Sequence, residues 1–229
     1  MTIVSIVPCR GGSKGIPRKN VLSLAGKPLI FYSIEQSKQS SHADRTIIST
    51  DDQEIATVAK SYGAEVIVRP AEISGDTASS ELALIHALDY LKDTENYEPD
   101  LVVFLQCTSP LRKDDDIDKA IIQFQQEQAD SLLSVSPGHS FLWEQIDGVA
   151  RSINYDYRNR PRRQEMNPQF RENGSIYIFK PWVLREYNNR LGGKISLYVM
   201  AEPCVDIDSM LDFEIAEFLL TKQHTNHAN

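Results

Sequence analysis

Short apolar runs alternate with longer amphipathic segments through the first half of the chain, and this alternation limits the folds open to it. The apolar runs predict strands at residues 3–7, 46–49, 65–68, 101–105 and 131–135. The segments between them predict helices at residues 28–37, 51–62, 79–91 and 114–125. The run LVVFL, residues 101–105, is apolar throughout, as in a central strand covered on both faces. We therefore predict an α/β fold with an open, doubly wound, mostly parallel sheet.

The regular alternation stops between residues 137 and 171, where the sequence is polar and rich in Arg, Asn and Tyr. We interpret this stretch as an insertion that forms a lid or an oligomerisation arm, with a long disordered loop as the alternative. Beyond it, the pattern predicts strands at residues 175–179 and 195–200 and helices at residues 181–187 and 210–220. Ser209 with Asp212 resembles a capping box at the start of the last helix.

The composition bounds the class of protein and its partners. The chain has 229 residues, of which 41% are hydrophobic, enough for a sizeable core. No stretch approaches the roughly 18 apolar residues of a membrane span, and the N-terminal residues lack the basic lead of a signal peptide. Cys9, Cys107 and Cys204 lie far apart without a CxxC pair, which indicates reduced thiols in a cytoplasmic protein. The formal net charge of −8 argues against nucleic acid as a partner, so an anionic ligand needs a local cluster of cations.

Such a cluster follows the first predicted strand, in the segment VPCRGGSKGIPRKN. Its cations are Arg10, Lys14, Arg18 and Lys19, and its glycines are Gly11, Gly12 and Gly15. In open α/β sheets, ligands bind outside the carboxyl ends of the strands, where this loop must lie. Glycines let the backbone approach a ligand closely, and amides together with cations suit a polyphosphate. The loop fits neither the Walker A nor the GxGxxG pattern, and a basic solvated loop is the alternative.

Three other segments are expected at the same edge of the sheet. QCTSPLR, residues 106–112, offers an amide, two hydroxyls and a guanidinium, or is merely a turn closed by Pro110. RPAEISGDTASS, residues 69–80, brings hydroxyls to a helix start, where they bind phosphate or sugar oxygens or where Thr77 or Ser79 caps the helix. VDIDS, residues 205–209, has two carboxylates on one side of an extended segment, an arrangement that suits Mg²⁺. The alternative for Asp208 is a role at the start of the last helix.

A second group of cations lies in the insertion and at its end. Its members are Arg158, Arg160, Arg162, Arg163 and Arg171. Guanidinium groups bind carboxylates in bidentate fashion, so an acidic substrate is one interpretation, and a solvated or subunit-contacting arm is the other. The five histidines are scattered and are assigned no chemistry.

Six segments taken in order resemble one known family. They are RGGSKGIPRKN, STDDQEIA, RPAEISGDTASS, QCTSPLR, FRENGSIYIF and VDIDS, and together they resemble the CMP-sialic acid synthetases, or acylneuraminate cytidylyltransferases, from about residue 3 to residue 219. The resemblance implies a single cytidylyltransferase domain, residues 1–229, with a Rossmann-like nucleotidyltransferase fold. It also implies a homodimer in which an arm within residues 137–171 helps complete the partner's active site.

The family joins CTP to the anomeric hydroxyl of a nine-carbon 2-keto-3-deoxy sugar acid, with Mg²⁺ as cofactor and pyrophosphate as the second product. The resemblance implies that the nucleotide is held by Arg10, Gly11, Lys14, Lys19, Asn20, Arg69 and Ser80. It implies that the sugar acid is bound by Gln106, Ser109, Arg163, Arg171, Asn173 and Tyr177. Asp206 and Asp208 would hold the metal, and together with Arg10, Lys14 and Lys19 they would be the catalytic residues.

Two residues depart from the family pattern, and the substrate stays open. Cys9 stands where alanine is common, and Cys107 stands where QPTSPLR has proline. The related CMP-KDO synthetases have a different first loop, so the sialate-type branch is preferred, with N-acetylneuraminic acid as the expected substrate. Legionaminic, pseudaminic and deaminated neuraminic acids are the alternatives. A non-catalytic nucleotide-binding protein on the same fold is a more distant one.

Overall fold

A central sheet of seven strands organises the chain, and the computed structural model describes residues 1–13, 15–75, 77–200 and 204–227. The strands are β1 Ile3–Pro8, β2 Ser23–Leu24, β3 Lys27–Pro28, β4 Arg45–Thr50, β5 Glu65–Val68, β6 Leu101–Leu105, β7 Ser131–Gly138, β8 Trp143–Ile146, β9 Val149–Ser152, β10 Gln169–Phe179 and β11 Ile195–Val199. The α-helices are α1 Leu29–Gln39, α2 Gln53–Ser61, α3 Ser80–Glu95, α4 Asp116–Gln126, α5 Pro181–Tyr187 and α6 Met210–His227.

The strand order in the sheet is β11-β7-β10-β6-β1-β4-β5. β1 pairs in parallel with β4 and β6, β4 with β5, and β7 with β11. β10 alone of these strands runs antiparallel, between β6 and β7. The predicted doubly wound, mostly parallel α/β fold is therefore confirmed. The antiparallel direction of β10 brings its first half to the edge where β1 and β6 end.

Apolar side chains cover both faces of the sheet. On one face, β1 and β6 pack against α1, α2, α4 and α6, with residues such as Ile30, Ile121 and Phe213 buried. On the other face, α3 and α5 pack through residues that include Leu88 and Leu184. All five residues of β6 are buried, as expected of a strand covered on both sides.

The predicted insertion corresponds to a structured segment between β7 and β10. Those two strands pair up to Gly138 opposite Gln169, so the chain leaves and re-enters the sheet at one point. The intervening residues include the hairpin β8–β9, which turns at Asp147 and Gly148 with φ of 52° and 79°. Two positive φ angles are what a type I′ hairpin turn requires. We call residues 139–168 the arm.

Among the residues that the structure describes, no helix has the length and apolar character needed to cross a bilayer.

Candidate active site

Two cavities lie side by side at the edge where β1 and β6 end. The loop cavity, of about 190 Å³, is lined by Pro8, Arg10, Ser13, Lys19, Asn20, Ser80, Phe104, Gln106, Cys107 and Thr108. The strand cavity, of about 570 Å³, is lined by Gln106, Arg171, Glu172, Asn173, Gly174, Tyr177, Cys204, Val205, Asp206, Asp212 and Ile215. Gln106 lines both, so the site has two compartments that meet at one side chain.

The glycine-rich loop after β1 is held by its own backbone and by two neighbouring segments. The Asn20 side-chain amide donates to the Arg10 carbonyl at 2.9 Å, and the Gly11 N–H donates to Asp51 Oδ1 at 3.1 Å. A Cβ on Gly11 would lie 2.7 Å from Asp52 Oδ2, and one on Gly15 would lie 2.4 Å from the Asp208 carbonyl oxygen. Only glycine fits at these two contacts, because a side chain would push the loop away from both segments.

The cations of this loop have different partners. Arg10 donates to the Gly75 carbonyl at 3.3 Å, and Arg18 pairs with Glu54 at the start of α2. Lys19 donates to the Ile207 carbonyl, and its Nζ lies 3.4 Å from Asp208 Oδ1. Lys14, which the resemblance assigns to the nucleotide, lies outside the described residues.

Arg69 and Ser80 approach the loop cavity from the other side. Ser80 is the first residue of α3 and lines the cavity, while Ser79 is the N-cap and accepts from the Leu82 N–H at 3.4 Å. Arg69 is only 7% exposed and does not line the cavity itself, and its Nη2 lies 3.5 Å from Asp51 Oδ1. Within the described part of the chain, its buried Nε has no hydrogen-bond partner. A buried donor without an acceptor is available to a ligand or water.

Asp206 and Asp208 lie in the segment between β11 and α6, next to the two cavities. Ile207 between them is buried, and its N–H donates to the Thr108 carbonyl at 2.9 Å, which ties the segment to QCTSPLR. Asp206 faces the strand cavity and Asp208 faces Lys19. The described residues contain no group of three or more His, Cys, Asp or Glu that could hold a metal by themselves. Two exposed carboxylates next to cavities still fit Mg²⁺, which completes its shell with water and phosphate oxygens.

The start of α6 is capped by other residues than Asp208. Ser209 N and Oγ donate to Asp212 Oδ2 at 2.8 and 2.6 Å, and the Asp212 N–H donates back to Ser209 Oγ at 3.3 Å. The hydrogen bonds from Ser209 hold the pKa of Asp212 below its usual value. The capping box predicted from the sequence is present, and it leaves the Asp208 carboxylate to Lys19.

The wall of the strand cavity comes from the first half of β10. Asn173 is buried, with Oδ1 accepting from Ser134 Oγ at 2.6 Å and Nδ2 donating to Ser136 Oγ at 3.2 Å. Gly174 has a φ of 68°, and a Cβ there would lie 2.4 Å from Gln106 Oε1 and 3.6 Å from Asp206 Oδ2. The β10–β7 pairing is irregular between Glu172 and Tyr177, which allows this turn within the strand.

Tyr177 belongs to a network that ends on a carboxylate in the cavity. Its hydroxyl donates to Glu172 Oε1, and its ring stacks on Phe104 with 5.3 Å between centroids. Arg190 lies over the same ring at 4.3 Å and pairs with Glu81 at 2.9 Å. Burial, and then the bond to Glu172, raise the pKa of Tyr177, which keeps it a hydrogen-bond donor at neutral pH.

Two residues that the resemblance assigns to the sugar acid lie elsewhere. Ser109 is fully buried and lines neither cavity, although Gln106, Cys107 and Thr108 before it do line the loop cavity. Arg163 lies with His139, Met166 and Phe170 around a separate cavity of about 200 Å³ at the base of the arm. Within one chain, therefore, neither residue reaches the cavity to which the resemblance assigns it.

Some lining residues are not predicted from the sequence. Ile215 on the strand cavity lies in none of the six family segments, while Glu172 lies in FRENGSIYIF and Ser13 in RGGSKGIPRKN without an assigned role. Asp51, which accepts from Gly11 and lies beside Arg69, is the one with a detectable signal, since it lies in the segment STDDQEIA.

The departures at Cys9 and Cys107 face each other beneath the loop cavity. Both thiols are buried just beyond the ends of the neighbouring strands β1 and β6, and both are free. Burial, and then the hydrogen bond with Cys107, raise the pKa of Cys9. Neutral thiols pack as small apolar groups, so the two substitutions leave the floor of the cavity uncharged.

Comparison with known proteins gives matches over nearly the whole chain. Residues 4–198 match the family described as Cytidylyltransferase. The N-acylneuraminate cytidylyltransferase of Oncorhynchus mykiss is 35% identical over 94% of this chain and 49% of its own length. The post-translational flagellin modification protein B of Campylobacter coli is 35% identical, covering 97% and 96%. The pseudaminic acid cytidylyltransferase of Campylobacter jejuni is 33% identical, covering 98% of each chain.

The solved structure of CMP:2-keto-3-deoxy-manno-octonic acid synthetase complexed with CTP has the same fold. Its TM-score is 0.74 at 18% sequence identity, covering 97% of this chain and all of that one. The chain thus spans nearly the full length of the two Campylobacter proteins, but about half the length of the fish protein.

The sheet, the glycine-rich cationic loop and the cavities at the strand ends define an α/β protein of the nucleotidyltransferase type. The chain belongs to the cytidylyltransferase family, and the resemblance to the CMP-sialic acid synthetases is confirmed by its relatives.

Proposed function

We propose that this protein transfers the cytidylyl group of CTP to the anomeric hydroxyl of a nonulosonic acid and releases pyrophosphate. N-acetylneuraminic acid is the proposed substrate. The observation that carries the proposal is the pair of cavities that share Gln106. One is bordered by cations and a glycine-rich loop, and the other is large enough for a nine-carbon sugar acid. A cytidylyltransferase needs two anionic substrates bound side by side.

The loop cavity is the proposed CTP site. Arg10 and Lys19 supply positive charge, and Lys14 is proposed to join them. Gly11, Asn20 and Ser80 supply or position polar groups around the triphosphate. Arg69 contributes a buried cation with an unused donor. These groups fit a triphosphate because cations and oriented N–H groups together offset its charge.

The strand cavity is the proposed sugar-acid site. Arg171 is the cation on its wall and would bind the substrate carboxylate, while Gln106, Tyr177 and Glu172 offer hydrogen-bonding groups to its hydroxyls. Asn173 holds the wall in place through Ser134 and Ser136. Ser109 is proposed only to support this wall, since it is buried.

The chemistry is an in-line attack of the anomeric oxygen on the α-phosphorus of CTP, with pyrophosphate leaving. Both reactants are anionic, so catalysis depends on charge neutralisation and positioning. Arg10 and Lys19 would offset the charge that grows on the leaving pyrophosphate. Asp206 and Asp208 would hold Mg²⁺, which when bound neutralises phosphate oxygens. Lys19 also orients the Asp206–Asp208 segment, through its contacts with Ile207 and Asp208.

We also propose a homodimer formed through the arm. The hairpin carries exposed apolar side chains, with Trp143, Ile146 and Val149 between 43% and 56% exposed. Exposed apolar patches of this kind mark protein interfaces. Arg163 at the arm base would then serve a shared site between subunits.

Reduced thiols throughout agree with a cytoplasmic location, and the charge of −8 agrees with no nucleic-acid partner.

The test follows pyrophosphate release from CTP and Mg²⁺ with a panel of sugar acids. The panel contains N-acetylneuraminic, legionaminic, pseudaminic and deaminated neuraminic acids, and KDO. We expect release with the first of these to exceed the others. Faster pyrophosphate release with another nonulosonic acid would identify that acid as the substrate. No release with any acid, alongside measurable CTP binding, would support the non-catalytic alternative.

A further inference from the structure

Arg112, the guanidinium of QCTSPLR, does not line either cavity but lies beneath the wall between them. It is only 5% exposed. Nε and Nη2 donate to the Ser175 carbonyl at 3.2 and 2.8 Å, and Nη2 also donates to the Gln106 carbonyl at 2.7 Å. Nη1 donates to Ser33 Oγ at 3.1 Å and to Gln36 Oε1 at 3.0 Å. These bonds employ the whole donor set of the guanidinium, and each acceptor is a neutral oxygen.

The two carbonyls that Arg112 joins belong to the segments that meet between the cavities. Gln106 lines both cavities, and Ser175 directly follows Gly174. The Gln106 side chain lies over Gly174 so closely that a Cβ there would be 2.4 Å from its Oε1. Gln106 directly follows β6, and Ser175 lies in β10, the neighbouring strand that runs in the opposite direction. Arg112 therefore fixes the distance between the end of one strand and the turn in the other.

All the hydrogen-bond acceptors of this buried guanidinium are neutral oxygens. Removing its charge from water costs free energy, and neutral residues could fill the same space at a lower cost. Burial lowers the pKa of Arg112 to about 10, so the group stays charged at neutral pH. Of the carboxylates that act on it electrostatically, Asp116 has the larger effect, and Asp206, on the wall of the strand cavity, has the smaller one. Its positive charge thus lies below the place where an anionic acid and the α-phosphate would meet.

We propose that Arg112 is a positioning residue for the transfer reaction, setting Gln106 against the Gly174 turn and adding positive potential beneath the sugar-acid cavity. The proposal rests on the proposed function. It predicts that changes at Arg112 affect the KM for the acid more than the affinity for CTP. A residue with a purely structural role would not produce this difference.

The experiment compares Arg112→Lys, which keeps the charge but not the planar fork, with Arg112→Met, which loses both. Steady-state kinetics gives kcat and the KM for the acid, calorimetry gives the CTP affinity, and thermal unfolding gives the folded fraction. We expect both variants to raise the KM for the acid by about 10-fold or more, because small displacements of binding groups cost up to about 100-fold. Arg112→Met should raise the KM for the acid more than Arg112→Lys does. The affinity for CTP should change by less than about 2-fold in either variant.

Two control variants separate positioning from stability. Arg45→Met removes ion pairs to Glu65 and Glu95 at the far end of β4, so it should lower the melting temperature and leave both KM values unchanged. Ser33→Ala removes one Nη1 acceptor while sparing the two carbonyls, and it should also leave the KM values unchanged. If Arg112→Met does not fold, Arg112→Lys and Ser33→Ala still decide the matter.

The proposal is overturned if the Arg112 variants lower kcat only in proportion to the folded fraction, with normal KM values. It is equally overturned if CTP affinity and the KM for the acid change by the same factor. An inactive wild-type protein would instead contradict the proposed function. Normal wild-type turnover with unaffected Arg112 variants would contradict only this inference.

Discussion

Gln106 is the residue at which the two halves of the site meet, and its position depends on a glycine in the neighbouring strand. Gly174 has a positive φ and leaves no room for a Cβ beside Gln106 Oε1. The side chain of Gln106 can therefore border both cavities only because position 174 has no side chain. The same turn brings the backbone of β10 close to Asp206.

We expect Gly174→Ala to lower kcat/KM for the sugar acid by about 10-fold or more, because the new methyl group displaces Gln106. Steady-state kinetics with varied acid would measure the loss. Gly26→Ala is the matched control, since Gly26 has a φ of 82° and open space around its Cβ position. Both variants should lose roughly 1 kcal/mol of stability from the left-handed backbone. Equal kinetics for the two variants would contradict the role given to Gly174.

The two aspartates of VDIDS give a second prediction at this scale. Asp206→Asn and Asp208→Asn should each lower turnover by roughly 100-fold or more, because one carboxylate of the proposed Mg²⁺ site is neutralised. A Mg²⁺ titration of pyrophosphate release measures the effect, with circular dichroism as the check on folding. Asp89→Asn is the control, since Asp89 pairs with Arg185 on the surface and lines neither cavity, and we expect turnover and stability to change little. Near-normal Mg²⁺-dependent activity in Asp206→Asn or Asp208→Asn would contradict the assignment of that aspartate as a Mg²⁺ ligand.

The sequence places Arg10 and Lys19 in a short glycine-rich loop after the first strand, and both line one cavity with Asn20. Their contact with a nucleotide stays a prediction. Ser109 could not be placed in this way, because whether a turn points its hydroxyl outward or inward depends on what packs beneath it. Glu172 was missed for a related reason, as only the irregular β10–β7 pairing turns it to the cavity.

At the scale of elements, α4 is linked to the end of α1 by one carboxylate. Asp118 accepts from the Ser41 N–H at 3.1 Å, from Ser41 Oγ at 2.6 Å and from Ser40 Oγ. Burial tends to raise its pKa, but the hydrogen bonds from Ser40 and Ser41 outweigh burial, and its pKa lies below the ordinary value of 3.8. A lowered carboxyl pKa stabilises the folded state above the unfolded pKa, and that stability is lost as the pH falls.

We therefore expect Asp118→Asn to destabilise the protein at pH 7 and to matter progressively less below about pH 4. Urea unfolding of the wild type and the variant at several pH values between about 3 and 7 would show the two free energies converging. Asp115→Asn, which removes an exposed pair with Lys119, should lower the stability little at any of these pH values. A difference between wild type and Asp118→Asn that stayed constant with pH would contradict this account.

The helices and the parallel strands follow from periodicity, but two features of the strands do not. The direction of β10 is invisible in its apolar residues, because a strand covered on both faces has the same composition in either direction. The hairpin β8–β9 lacks a buried face, so its residues show no alternation. Its turn residues, Asp147 and Gly148, did carry a hairpin signal that the polar surroundings obscured.

For the whole molecule, the arm supplies the prediction of a dimer. Ile146→Glu combined with Val149→Glu should convert the dimer to monomers, because two charges would be buried in an apolar contact. Sedimentation velocity across a range of concentrations would measure the change. Val68→Glu is the control, since Val68 is 68% exposed on the edge strand β5 at the far side of the sheet. A dimer that survives the double change would show that the arm is not the interface.

The net charge of −8 and the local cations fit together at this scale. Arg10 and Lys19 border the loop cavity and Arg171 borders the strand cavity, so small anions are drawn there although the chain as a whole is acidic. Composition alone predicted that any anion site must be local. It could not predict that the site has two compartments, since those depend on how β10 enters between β6 and β7.

The place of β10 in the strand order also affects how the chain can fold while it is being synthesised. β7 is complete at residue 138, but its neighbours β10 and β11 end at residues 179 and 199. A nascent chain therefore carries the apolar segment SLLSVS without a sheet partner while at least 40 further residues are translated, roughly 2 to 8 seconds at ordinary rates. The arm is synthesised during that interval, ahead of the strand that anchors its second end. Chaperone capture of stalled chains should peak between residues 138 and 179, and should fall once β10 has emerged and joined the two halves of the sheet.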